Sequence, residues 1–310
     1  MKIKDLVPEY LRNLKITGRS YYTQRGAKYG LKDFIKFLTY ENVFTLENLT
    51  REIMEEYQQD LAFRLTVKGR LLAVRSQSKL LSVAKMFTRF LKDKDYMFFD
   101  PGEKIKMPKE PKRLPKVILN TEDITLLMEN QNMQTNQGYR DRIILELLYD
   151  TAIRRAEISN IKIADTDLRT GYLKVTGKGD KERVVPLSHR VCELVGNYIM
   201  LIRPAFLKEG DNDWLILNKD GGRMDVHGIW AAVKRCAKHA GIKKNVSTHT
   251  FRHTCATHML KNGAPIRHIQ EMLGHESLDS TQIYTHVTIN DLKEVHSKYH
   301  PGGKEESPYQ

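Results

Sequence analysis

The sequence predicts two domains of different class: an all-α N-terminal domain of four helices, and a mixed α+β, mainly helical C-terminal domain. Three observations predict this. Over the first hundred positions the apolar residues recur only at helical spacing. A proline-rich basic stretch, residues 101–116, then interrupts the pattern. Beyond it one clear alternating hairpin stands among further helical segments. At 310 residues the chain is long enough for two separate cores.

The first helix is carried by Leu6, Tyr10, Leu11 and Leu14, and the second by Leu31, Phe34, Ile35 and Leu38. Ile53, Tyr57 and Leu61 mark a third. Leu80, Val83, Ala84, Phe87, Phe90 and Leu91 mark a fourth. Four short amphipathic helices can close one small bundle. Their polar faces hold Arg19, Arg25, Lys28, Arg64, Lys68, Arg70, Arg75, Lys79 and Arg89, which together suit a domain lying on phosphates. The bundle is assigned residues 1–100. Pro101 to Lys116 is read as a linker: four prolines stiffen it, and six basic against two acidic residues leave it strongly positive.

The second domain, residues 117–300, opens with a helix whose expected N-cap is Thr121, with Glu122 and Asp123 in the first turn. Ile143, Ile144, Leu147 and Leu148 make the next helix a buried one. Gly171 to Leu187 alternates through Leu173 and Val175, turns at Gly177-Lys178-Gly179-Asp180, and returns through Val184 and Val185. Asp213 to Leu217 is expected as a further short strand before a Gly221-Gly222 turn. Asp225 to Ala240, closed by Gly241, is a helix. The last ten residues, 301–310, are expected to form a disordered tail.

Composition narrows the function. Lys and Arg number 51 against 38 Asp and Glu, so the net charge of +13 points to a polyanionic partner, of which nucleic acid is the usual one. No apolar run approaches a membrane span, and the N-terminus lacks a signal-peptide pattern. Three cysteines, Cys192, Cys236 and Cys255, argue for a reducing cytoplasm over a disulfide framework. A cytoplasmic, nucleoid-associated protein with no membrane partner is expected.

The chemistry concentrates between Ser247 and Val287, where His249, Arg252, His253, His258, His275 and Tyr284 fall within about forty residues. Gly263 and Gly274 stand where helix C-termini need a left-handed residue. His249 and Arg252 are three residues apart and share one helical face. Cations beside a hydroxyl nucleophile suit phosphoryl transfer, where negative charge spreads over oxygens. The i,i+4 pair His249 and His253, with Cys255 and His258 nearby, could hold zinc. Yet no Glu follows His249 as in metallohydrolase helices, and no carboxylate cluster would hold magnesium, so neither metal nor other cofactor is expected.

These motifs, taken with the hairpin, make the chain resemble the tyrosine recombinase (phage-integrase-like) family, and most closely its Xer-type members. Thr151-Ala152-Ile153-Arg154-Arg155-Ala156-Glu157-Ile158 resembles the first arginine box. Gly177-Lys178-Gly179-Asp180-Lys181 resembles the lysine turn. His249-Thr250-Phe251-Arg252 matches His-x-x-Arg, and Leu273-Gly274-His275 with Tyr284-Thr285-His286-Val287 matches the second histidine and the tyrosine. The family often carries Gly where Ala152 stands, and a small hydroxyl residue where Ala156 stands.

The resemblance implies a SAM-like core-binding domain followed by a tyrosine-recombinase catalytic domain. It implies six catalytic residues: Arg154 and Arg252 as phosphate clamps, His249 and His275 as phosphate hydrogen-bond partners, Lys178 as acid to the leaving 5′ oxygen, and Tyr284 as nucleophile. Lys181 competes with Lys178 for the acid role, and Glu157 orients Arg154. The implied function is site-specific recombination of double-stranded DNA through a 3′-phosphotyrosyl link and a Holliday junction. The implied assembly is a homo-tetramer on two duplexes, in which the segment from about Asp291 docks on a neighbour. A type IB topoisomerase-like nicking and sealing enzyme is one alternative, and a non-catalytic DNA-binding architectural protein another.

Overall fold

The computed structural model describes residues 1–109, 117–177, 180–208, 212–274 and 289–303. The chain divides into two compact units, Met1–Arg113 and Leu114–Gln310.

In unit 1 the four apolar patterns become α1 (Ile3–Ile16), α2 (Tyr21–Tyr40), α3 (Arg51–Phe63) and α4 (Val74–Asp93). Their apolar faces meet in one core that contains Leu6, Tyr10, Phe34, Leu38, Tyr57, Leu61, Ala84 and Phe87. Helices α2 and α4 approach closely at Gly30, where a Cβ would come within 2.8 Å of Val83. Only glycine permits that approach. Of the nine basic residues expected on the polar faces, eight are exposed. Arg64 is the exception. Its guanidinium forks onto Asp33 at 2.9 and 2.7 Å and also binds Asp60, so it ties α2 to α3. The stretch assigned to the linker starts too early. Ile105 is buried in this core, and the carbonyls of Ile105 and Lys106 accept from Lys85 and Gln58. Residues 110–116 lie outside the described residues.

Unit 2 contains α5 (Thr121–Glu129), α6 (Asn136–Asp150), α7 (Arg155–Ser159), β1 (Thr166–Asp167), β2 (Tyr172–Thr176), β3 (Glu182–Pro186), α8 (His189–Asn197), α9 (Val226–His239), α10 (Thr248–Lys261), α11 (Ile266–Leu273) and α12 (Ile289–Tyr299). Helix α6 is its axis. Residues Ile143 to Asp150 are all buried, with α8, α9 and α10 packed around them. A helix enclosed on every side has no solvent face, so even its charged residues Glu146 and Asp150 are buried, Glu146 against Arg142 and Arg190. The sheet is small and antiparallel, in the order β1-β2-β3, with Leu173 opposite Val185 and Val175 opposite Arg183.

Four expectations change at this level. Asn120, not Thr121, caps α5: its side chain accepts from the Asp123 N–H at 2.9 Å, and the Asp123 carboxylate accepts in return from Asn120 N–H at 3.0 Å. Asp213 to Leu217 is not a strand of the sheet. It forms only the isolated bridges Lys162–Trp214 and Leu217–Arg223, the second closing the turn at Gly221. Helix α8 was not anticipated. Pro301–Gly303, expected in the tail, forms a 3-10 turn, and the Gly302 N–H donates to His300 Nδ1 at 3.0 Å. Among the described residues no helix is long and apolar enough to cross a membrane.

Candidate active site

The site begins where α6 ends. Ala152 is fully buried and holds a left-handed backbone, φ 51°. That conformation is one glycine adopts without strain, so the glycine that the resemblance would place here fits this backbone. Arg154 follows this turn. It is the residue that opens the next helix, N-cap to α7, with a side chain 39% exposed. Its backbone N–H donates to Glu157 Oε2 at 2.7 Å, and its Nη1 donates to Oε1 at 2.9 Å. Glu157 therefore fixes both the backbone and the guanidinium of Arg154.

Arg252 reaches the same place from α10, whose start is secured by Ser247 accepting from the Thr250 N–H. It is buried, and it donates from Nη1 to the Ala152 carbonyl at 2.8 Å and from Nη2 to the Leu273 carbonyl at 2.5 Å. The left-handed turn at Ala152 is thus what presents that carbonyl to Arg252.

A third arginine completes the arrangement. Arg183 on β3 donates to both oxygens of Glu157, at 3.0 and 2.9 Å, and from Nε to the Met272 carbonyl at 3.2 Å. Arg154 Nη2 meanwhile reaches the Gly274 carbonyl at 3.2 Å. Three successive carbonyls at the C-terminal end of α11, those of Met272, Leu273 and Gly274, therefore each receive one guanidinium. A helix C-terminus has unsatisfied carbonyls and partial negative charge, which suits cations there. Gly274 is left-handed, φ 60°, and a Cβ on it would lie 3.1 Å from Arg183 Cδ.

Charge balance follows from this packing. Burial alone would raise the carboxyl of Glu157, but hydrogen bonds from Arg183 and Arg154 outweigh it and hold the group below the usual carboxylate range. Arg252 is pulled down to about 10, by burial first and then by the neighbouring Arg154 and Arg183, and it stays cationic at neutral pH. One carboxylate against three guanidiniums leaves a net positive centre suited to an anionic phosphate.

Of the six residues expected in the site, the described residues bring Arg154 and Arg252 to one place. His249 shares α10 with Arg252 but is exposed where Arg252 is buried. Lys178, His275 and Tyr284 lie outside the described residues. In sequence, however, Lys178 follows Gly177, which packs near Arg183 and Glu157, and His275 follows Gly274. Lys181, the competing lysine, is exposed, and its carbonyl accepts from the Gly177 N–H at 2.8 Å. Arg183 was missed by sequence reasoning. Its signal was there: it lies two residues before the inward-facing Val185, so an alternating strand turns it toward the interior.

The possible zinc set does not gather. His249 and His253 are exposed, whereas Cys255 is buried and His258 Nδ1 is 2.8 Å from the Tyr149 hydroxyl. Asp150, His296 and His300 do cluster, fully enclosed, with Asp150 Oδ1 3.5 Å from His296 Nε2 and from His300 Nδ1. The two imidazoles stack within 8° of parallel, so their in-plane lone pairs cannot converge on one ion. Their Nε2–H groups also donate to the carbonyls of Asp150 and Tyr149, at 2.7 and 3.1 Å. The cluster serves docking instead. Through it α12 packs against α6, and it also meets β3, α10 and α11 of its own chain. These imidazoles find their acceptors at the end of α6.

The phage integrase family matches residues 118–291 of this sequence. Tyrosine recombinase XerD of Staphylococcus aureus is 35% identical over 300 residues, which cover 96% of this chain and 99% of the relative. Among solved structures, XerH site-specific recombinase bound to difH substrate superposes with a TM-score of 0.67 at 19% identity, covering 95% of this chain and 81% of that one. A lambda integrase tetramer bound to a Holliday junction gives 0.68 at 14% identity, covering 93% and 81%. These two likenesses concern the fold.

Proposed function

This chain belongs to the phage integrase family, and on that premise we propose that it is a site-specific tyrosine recombinase that cuts and rejoins double-stranded DNA without a metal or other cofactor. The observation that carries the reading is the Arg154–Glu157–Arg252 group at the end of α11, one residue ahead of His275. Two guanidiniums that keep their charge supply what a divalent ion supplies elsewhere, a clamp on the non-bridging phosphate oxygens.

In this reading the Tyr284 hydroxyl loses its proton, with His249 as the candidate acceptor, and attacks the scissile phosphorus. A 3′-phosphotyrosyl bond forms as the bond from phosphorus to the 5′ oxygen breaks, and the departing oxygen takes a proton from Lys178. The attack of a free 5′ hydroxyl reverses these steps, so the bond energy is kept and no nucleotide is consumed. Arg154 and Arg252 bind the pentavalent transition state, with His249 and His275 as further hydrogen-bond partners.

The exposed cations of unit 1 would lie on the DNA backbone. A homo-tetramer on two duplexes, exchanging strands through a Holliday junction, is the assembly in which such chemistry recombines two sites. The C-terminal segment from about Asp291 would dock on a neighbour in that assembly. The reading places the protein in the cytoplasm with the nucleoid. No observation favours the nicking-and-sealing or the architectural alternative.

The test is Tyr284→Phe on a nicked suicide substrate with labelled DNA. Wild-type protein should form a covalent adduct that survives denaturing electrophoresis, and the variant should bind DNA with nearly unchanged affinity but form none. A persistent adduct in the variant would assign the nucleophile elsewhere. Absence of an adduct in the wild type would overturn the reading.

A further inference from the structure

The geometry points to Arg183 as a positioning residue for DNA cleavage, the side chain that sets both the Arg154 guanidinium and the turn leading to His275. The inference rests on the recombinase reading and adds to it a residue that touches no substrate. Arg183 joins three separate parts of the site. It holds both oxygens of Glu157, so the carboxylate that orients Arg154 is itself oriented from β3. It holds the Met272 carbonyl, and its aliphatic stem lies against Gly274 so closely that a Cβ there would meet Cδ, Nε and Cζ at 3.1, 3.2 and 3.3 Å. It also lies near Gly177, whose added Cβ would come 3.6 Å from Arg183 Nη1 and from Glu157 Oε1.

Each of these contacts leads to a proposed catalytic residue: Glu157 is hydrogen-bonded to Arg154, and Gly274 and Gly177 immediately precede His275 and Lys178 in the chain. A planar fork fixes Glu157 in orientation as well as distance, which a lysine point charge would not do. Without Arg183 the carboxylate keeps Arg154 but loses its own anchor, and both can rotate about the α7 start. A misplacement of about 1 Å costs on the order of 10²-fold in rate.

The experiment measures single-turnover adduct formation at saturating protein, with Arg183→Ala, Arg183→Lys, Arg154→Ala and the Arg154→Ala/Arg183→Ala double variant. Ordinary DNA is compared with DNA carrying a neutral methylphosphonate at the scissile position, which removes the charge that Arg154 is needed to neutralise. Arg183→Ala should cleave ordinary DNA on the order of 10²-fold slower than wild type. Arg183→Lys should fall between them. On methylphosphonate DNA the Arg183→Ala deficit should shrink as the Arg154→Ala deficit does. The double variant should lose less than the product of the two single losses, since residues that act in part through one shared interaction are not additive.

Wild-type rates in Arg183→Ala, or equal slowing on both substrates, would overturn the proposal while leaving the recombinase reading intact. So would additive loss in the double variant. Failure of both Arg183→Ala and Arg183→Lys to fold would assign the residue to stability alone. No adduct from the wild type would instead be a failure of the recombinase reading.

Discussion

Replacing Glu157 by Gln tests the electrostatic account of the site most directly. The Glu157 side chain is 3% exposed and accepts two hydrogen bonds from Arg183, itself 14% exposed, and two from Arg154. Charge-assisted hydrogen bonds contribute about 1.5–3 kcal/mol each. The Arg154 share is discounted because that side chain is more than a third exposed and solvent screens it. Gln keeps one acceptor, loses the charge, and turns an NH2 group toward guanidinium N–H donors. Breaking a buried pair from one side costs roughly 3–5 kcal/mol, and that is the loss expected for unit 2. At about 2–4 °C per kcal/mol for a unit of about 200 residues, Tm should fall by roughly 10 °C. Both tryptophans of the chain, Trp214 and Trp230, lie in unit 2, so their fluorescence during denaturant or thermal unfolding reports this unit. The sign with pH is fixed by the depressed carboxyl. Its contribution is present above the ordinary glutamate value of 4.5 and is lost as pH falls through the lower folded value, so the gap between wild type and Glu157→Gln should close in acid. A loss below about 1 kcal/mol at neutral pH, or a gap that widens in acid, would refute the reasoning.

Two further outcomes follow from single positions. Ala152 is buried at positive φ, so Ala152→Val, with a β-branched side chain and no space, should cost about 2 kcal/mol or more, whereas Ala152→Gly should stay within about 1 kcal/mol of wild type; denaturant midpoints of the two variants check this. Lys178→Ala should cleave ordinary DNA very slowly yet approach the wild-type rate when sulfur replaces the 5′ bridging oxygen. An alkoxide compares in basicity with water at about 15.7, but a thiolate, near 8.5, leaves unprotonated. Rescue of Lys181→Ala instead would move the acid role three residues along the hairpin.

The periodic part of this protein was legible in one dimension. Leu6 to Leu14 or Leu80 to Leu91 can bury a face only as helices, because 3.6-residue spacing puts those side chains on one side, whatever they pack against. The hairpin was legible for the same reason at period 2, and the motif order identified the family. Boundaries were less so. Ile105 reads as part of a basic proline-rich linker until its neighbours in the bundle are known, and Pro301 reads as tail until His300 is seen to accept from Gly302. In the site, the sequence by itself determined the charged residue types and the left-handed stop at Gly274. Only the tertiary structure decided how they are joined. Arg154, Arg183 and Arg252 come from a helix start, a strand and a second helix, and nothing local says that the first two share one carboxylate or that all three reach the last carbonyls of α11. The same holds for Ala152, whose left-handed backbone looks like a slight departure in the sequence. It is required because Arg252, a hundred residues away, takes its carbonyl. Local periodicity is a property of the chain's own geometry, whereas a shared counter-charge depends on which distant segments meet.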